Sequence, residues 1–207
     1  MKISILLPYK ENFSPNYPGA VSLFVNDTLK LSKYKKAIKV YGNTSFKKKF
    51  YKNYKNIKLN KSFFGSQSEN YMDEFIKIEK SISSDIIEIH NRPHYLKYLI
   101  NEGVKSKFVL YFHNDPLTMT GSKSLGERKY LANICEKIVF NSLWSKKRFL
   151  ENISSGSINS EKLIVVFQSA SKNKVSLKTK KKWITFVGKL NHSKGYDIFG
   201  ASVLKIL

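Results

Sequence analysis

At 207 residues, 42% of them hydrophobic and 14% aromatic, the chain is long enough to bury a core and too apolar to stay disordered. No apolar run reaches the roughly 18 residues of a membrane span, and the first ten residues lack a signal-peptide cleavage site. The net charge of +22 is nearly all lysine, which makes base-specific nucleic-acid reading the least expected role, since Arg92, Arg128 and Arg148 are the only arginine forks.

Ile3–Leu7 reads as a first buried strand. It runs through Pro8 into a loop ending at Gly19 and Ala20, before a helix whose Val21, Phe24, Val25 and Leu29 form one stripe. Gly19 permits close approach of a phosphate or sugar at that helix start, though the Pro-Gly pair also makes an ordinary turn. Ala37–Tyr41 and Ile57–Leu59 are the next strands. Ser45–Phe64 interleaves lysines with aromatics; this suits a solvated connection, a membrane surface or single-stranded nucleic acid. A lysine excess of this kind fits A-rich codons, or attraction to anionic lipid headgroups and phosphorylated substrates.

Tyr71, Phe75, Ile78 and Ile82 repeat at helical spacing and lead to the strand Ile86–Ile89. Its carboxyl end carries His90, Asn91, Arg92, Pro93 and His94. Asn91 and Arg92 suit hydroxyls or an anionic group, and Pro93 opens a helix. His90 and His94 are spaced like metal ligands, but Pro93 breaks their register and no third ligand lies near, so no metal is expected. Phe108–Phe112 is followed by His113, Asn114, Asp115 and Pro116. A histidine straight after a buried strand is the first candidate for a reacting centre, since an imidazole near neutral pH bonds a hydroxyl or relays a proton. A ring satisfied by loop carbonyls is the plain alternative. Thr118–Arg128 is polar and reads as a flexible rim. Cys135, the only cysteine, excludes an intrachain disulfide, fits a cytoplasmic location and reads as a small buried hydrophobe. Ile138–Phe140 precedes a helix capped by Ser142 and carrying Leu143, Trp144 and Phe149, and Leu163–Phe167 is a further strand.

Alternating strands and helices, with strands apolar on both faces, predict a doubly wound, mostly parallel Rossmann-like α/β sheet over residues 1–170. Residues 171–182 read as a linker. Residues 183–207 supply one strand, Ile184–Val187, and one helix, an orphan βα unit too small for its own core. Gly188 and Lys189 follow that strand, and Lys194 and Gly195 open the helix. Two ammonium groups and the helix amides would stabilise a leaving diphosphate; a solvated basic turn is the alternative.

Taken in order, the Gly19 loop, Asp85–Pro93, Leu110–Asp115, Ile138–Ser142, Phe186–Leu190 and Lys194-Gly195 resemble the family 4 retaining glycosyltransferases of the GT-B fold, bacterial members acting on surface polysaccharide or lipopolysaccharide above all. The resemblance implies transfer of a sugar from a nucleotide-diphosphate donor to a glycan or lipid-linked acceptor with retention of configuration. It implies neither metal nor cofactor. Gly19, Gly188, Lys189 and Lys194 would contact the donor phosphates, and His113 would lie beside the transferred sugar as the catalytic residue. Asn91, Arg92, Asn114 and Asp115 would line the acceptor side of the cleft. The implied place is cytoplasmic, with possible docking on the anionic inner face of the membrane.

The chain departs from the family pattern at Lys189, where arginine is usual, and at Ala20, where a second glycine is common. The family's paired glutamates have no counterpart before Leu207. The chain is therefore expected to be the amino-terminal part of a longer enzyme, inactive alone. A different nucleotide-binding enzyme of the same fold, such as an epimerase or dehydrogenase, is disfavoured because no Gly-x-Gly-x-x-Gly follows the first strand. A non-catalytic remnant, or a basic Rossmann-like module docking on membrane or nucleic acid, is the rival reading.

Overall fold

A computed structural model describes residues 1–59, 66–168, 183–188, 190 and 192–206. They fall into two units, Met1–Ser169 and Ala170–Leu207. The first is built on a seven-stranded, wholly parallel sheet in the order β3-β2-β1-β4-β5-β6-β7. Its strands are β1 (Ile3–Leu6), β2 (Ile38–Gly42), β3 (Tyr54–Asn56), β4 (Ile86–His90), β5 (Lys107–Phe112), β6 (Lys137–Phe140) and β7 (Leu163–Val165). Five helices join them: α1 (Ala20–Leu31), α2 (Gln67–Ile82), α3 (Tyr95–Asn101), α4 (Leu125–Ile134) and α5 (Leu143–Leu150). The doubly wound Rossmann-like expectation holds.

Period-two alternation divides the core between the sheet's faces. Leu6, Ile87, Ile89, Leu110, Phe112, Ile138 and Phe140 point to the face covered by α2 to α5, whose Phe75, Leu96, Leu131 and Phe149 complete one buried cluster. Ile5, Leu7 and Val40 point to the other face, where Val21, Val25 and Leu29 of α1 cover them. Serine caps fix the starts of α2 and α4. Ser66 accepts from the Glu69 amide and Ser124 from the Glu127 amide, and each glutamate returns the bond to its cap.

Three expectations need correction. The third strand lies three residues earlier than Ile57–Leu59, because Tyr54 pairs with Val40 and is buried, while Ile57 enters the core beyond the ladder. The rim Thr118–Arg128 is not all loop: Pro116–Thr118 is a 3-10 turn and α4 starts at Leu125, set by the Ser124 cap. Ile184–Val187 forms no strand, and Trp183, Ile184 and Val187 are exposed, since no other extended segment pairs with it among the described residues. The second unit does contain the expected helix, α6 (Tyr196–Leu204), on whose Tyr196 and Phe199 the Phe186 ring packs at 5.6 and 5.3 Å. The linker, residues 171–182, lies outside the described residues. No helix among the described residues is long and apolar enough to cross a membrane.

Candidate functional site

Strand order reverses between β1 and β4, so the crevice beyond their carboxyl ends is where an open parallel sheet accepts ligands. A cleft of about 420 Å³ opens there. Pro8 and Glu11 wall it on the β1 side, Asn91, Arg92, His113 and Asn114 come from the ends of β4 and β5, and Gln168 follows β7.

Even positions of β4 and odd positions of β5 share the α1 face. In-register pairing of His90 with Tyr111 therefore stacks His90 on Tyr111 at 4.7 Å and on His113 at 5.1 Å, with Phe24 of α1 edge-on to His113 at 4.9 Å. Asn91 turns the chain in the left-handed region (φ 53°), a conformation asparagine tolerates. Its backbone N–H donates to the Tyr111 carbonyl and its side-chain oxygen accepts from the His113 amide, both at 2.8 Å. Asn141, beyond β6, donates to the His113 carbonyl at 2.8 Å. Both sides of the His113 peptide are thus fixed.

The rings form a chain of hydrogen bonds: Gln168 Nε2 to His113 Nδ1 (3.1 Å), His113 Nε2 to His90 Nδ1 (2.8 Å) and His90 Nε2 to Glu88 Oε1 (2.7 Å). Burial, then the neighbouring His90, pulls the His113 pKa down to about 3, so the ring is neutral and carries one N–H. The Gln168 amide donates to Nδ1, so the proton sits on Nε2, which donates to His90 Nδ1. His90 in turn donates from Nε2 to the Glu88 carboxylate. A ligand hydroxyl displacing Gln168 would meet a fixed acceptor lone pair. Such a ring holds a hydroxyl well and takes a proton poorly; the expected proton relay near neutral pH does not fit it.

The other predicted residues have mixed fates. Arg92 lines the cleft and donates to the Asn91 carbonyl at 2.9 Å. Asp115 is turned to structure: its carboxylate caps the 3-10 turn through the Leu117 amide at 3.0 Å and pairs with Arg148 at 3.2 Å. Gly19 begins α1, but the space beside it holds the Glu11 carboxylate, which accepts from the Ser22 amide at 2.9 Å; a Cβ on Gly19 would lie 2.0 Å from that oxygen. The anion expected at this helix start is thus the chain's own. In the second unit Gly188 and Lys194 are neighbours, a Cβ on Gly188 lying 3.8 Å from that of Lys194, and Lys194 is exposed. Lys189 lies outside the described residues. Among the described residues no group of three or more metal-ligating side chains converges. Glu88 was not singled out from sequence and His90 was weighed only as a metal ligand, although the alternation Glu-Ile-His puts both on one face.

Two solved structures share this architecture. The apo form of the lipopolysaccharide outer core galactosyltransferase WaaB superposes with TM-score 0.56 and 16% identity, covering 84% of this chain and 48% of that one. HepE of Anabaena, in complex with UDP and glucose, superposes with TM-score 0.53 and 16% identity, covering 82% and 45%. A UDP-GlcNAc 2-epimerase from Neisseria meningitidis, bound to UDP-GlcNAc, aligns at TM-score 0.49 and 13% identity over 80% and 46%, too distant to weigh. Such identities carry the fold alone, that of one Rossmann-like half of a GT-B architecture, and the chain spans about half the length of the structures it matches. No protein-family model and no curated protein matches the sequence.

Proposed function

We propose that the first unit is the acceptor-side half of a glycosyltransferase that moves a sugar, with retention, from a nucleotide-diphosphate sugar to a surface-polysaccharide or lipopolysaccharide precursor. The observation that carries this reading is the doubly anchored His113 at the switch-point cleft, whose Nδ1 accepts from Gln168 at the cleft wall, where a ligand hydroxyl could take its place. In the transfer, the bond from the anomeric carbon to the diphosphate oxygen breaks as the acceptor oxygen bonds that carbon. The acceptor proton goes to the departing diphosphate, whose pKa of about 6 makes it a far better base than His113. In the second unit Gly188, Lys189 and Lys194 would meet a donor diphosphate; in the first, taken by itself, Asn91, Arg92 and Asn114 would meet acceptor hydroxyls, and neither metal nor cofactor takes part. The 207-residue chain alone would bind without turnover; among the described residues of its second unit Trp183, Val187, Leu190, Ile198 and Leu204 are exposed.

The same enzyme would dock on the anionic face of the cytoplasmic membrane. A groove formed by the end of α1 and the segment before β3 supports this, with Lys30, Lys35, Lys36 and Lys52 beside Phe50 and Tyr51.

The test is an amide-resolved titration with UDP-glucose, UDP-galactose and GDP-mannose. Shifts at Asn91, His113 and Asn114 are expected, weakened about tenfold (roughly 1.4 kcal/mol) in His113→Ala, with no sugar transfer to any acceptor. Silence at these amides with every donor, or robust turnover by the chain alone, would remove the reading.

A further inference from the structure

A groove of about 770 Å³, larger than the cleft, lies between α3 and α4. That is within the range of about 300–1,000 Å³ usual for small-molecule sites. Its working surface is His94, Lys97, Tyr98, Asn101, Glu127 and Tyr130. What separates it from the rest of the molecule is charge. The chain carries +22 overall, and the groove beside β3 is lined by four lysines, one of which, Lys30, pairs with Asp27 at 2.8 Å. Between α3 and α4, Lys97 and Glu127 cancel, and burial lowers the His94 pKa so that the ring stays neutral.

The walls are also preorganised. Glu127 Oε2 accepts from the Ser124 amide at 2.8 Å and from the Ser124 hydroxyl at 3.0 Å. The Tyr98 hydroxyl makes a long, exposed contact to Glu69 at 3.4 Å. The His94 ring packs edge-on against Tyr95 at 4.7 Å. Gly121 sits in the left-handed region (φ 92°) against the His94 backbone, so tightly that a Cβ there would lie 2.6 Å from the His94 backbone nitrogen. Two tyrosine rings, a neutral imidazole and a carboxamide, with no net charge, suit a ligand that has apolar C–H faces and a rim of hydroxyls that both donate and accept. That ligand is an uncharged saccharide; an anion finds no excess of cations here. Position agrees: Arg92 lines the cleft and the next residue, Pro93, lines the groove.

We infer that the α3–α4 groove binds a short neutral stretch of glycan, which extends from the sugar presented at the cleft. Its purpose rests on the glycosyl-transfer reading; its ligand class does not.

Gly126 offers a clean probe, because it lines the groove and a Cβ on it would meet nothing within 4 Å. The experiment is an amide-resolved titration of the 207-residue chain with maltotriose, cellotriose, chitotriose and mannotriose, at low and high salt. At least one is expected to shift amides in Lys97–Asn101 and Gly126–Tyr130, with an affinity indifferent to salt and reduced tenfold or more in Gly126→Trp. Tyr130→Ala, at a half-exposed ring, should weaken the same titration and serves if the tryptophan disturbs folding. The inference falls if no trisaccharide shifts these amides. It also falls if binding survives both substitutions, or if inorganic pyrophosphate produces the same shifts and salt removes them. Amides at Asn91 and His113 report the cleft separately: shifts in the groove with a cleft silent to every nucleotide sugar would retain the glycan site and discard the transfer reading.

Discussion

His113 owes its character to where its ring is held. The unfolded side chain takes a proton near pH 6.5, whereas the folded one, buried and beside His90, takes it only at about 3. Protons therefore favour the unfolded state between those values: the contribution is constant above pH 6.5 and stability falls as the pH drops below it. Replacing His113 by Gln should flatten the stability–pH curve from pH 6.5 to 5 by roughly 1 kcal/mol per pH unit, as measured by urea unfolding at a series of pH values. An unchanged slope would mean that the ring is charged in the folded state. From sequence, the place of His113 after a strand was legible, and so was its polar company. Its partners were not: Glu88 and His90 reach it only through the β4–β5 register, and Asp115 is drawn from the cleft by Arg148, thirty-three residues away.

At the scale of elements, α4 and the turn before it show how two glycines five residues apart serve opposite purposes. Gly121 is required by its backbone conformation and by the His94 backbone against it, whereas Gly126 lies in the first turn of α4 with open space around it. Gly121→Ala should therefore destabilise the fold by at least about 1 kcal/mol, while Gly126→Ala should stabilise it by up to about 1 kcal/mol. Thermal unfolding would show Tm moving in opposite directions; a shared direction would contradict the geometry. The helices with three or four apolar residues on one stripe, α1 and α2, were readable in sequence. Helix α4 was hidden because its cap and first turn, Ser124 to Arg128, offer only the partly exposed Leu125 as an apolar residue and resemble a loop until the Ser124–Glu127 box is formed.

Across the whole molecule, the lysine excess is not spread evenly over the concave surfaces. It is concentrated in the groove with Lys30, Lys35, Lys36 and Lys52 and is balanced in the groove between α3 and α4. If the first of these docks on membrane, vesicles containing anionic phosphatidylglycerol should carry the chain down on sedimentation, and neutral vesicles should not. Changing Lys35, Lys36 and Lys52 to Gln should weaken that binding by about 3 kcal/mol, taking roughly 1 kcal/mol per lysine near the surface. Equal binding by the triple variant would assign the attraction to diffuse charge. The sequence by itself determined the alternation of strands and helices, their nearly uniform apolar strands and hence a parallel, doubly wound sheet, because these follow from local periodicity. Tertiary structure alone decided that Glu88, His90, His113 and Gln168 form one hydrogen-bonded line, that Glu11 occupies the start of α1, and that Ile184–Val187 pairs with no strand among the described residues. Those outcomes depend on register and on contacts between residues far apart in the chain, which no local pattern encodes.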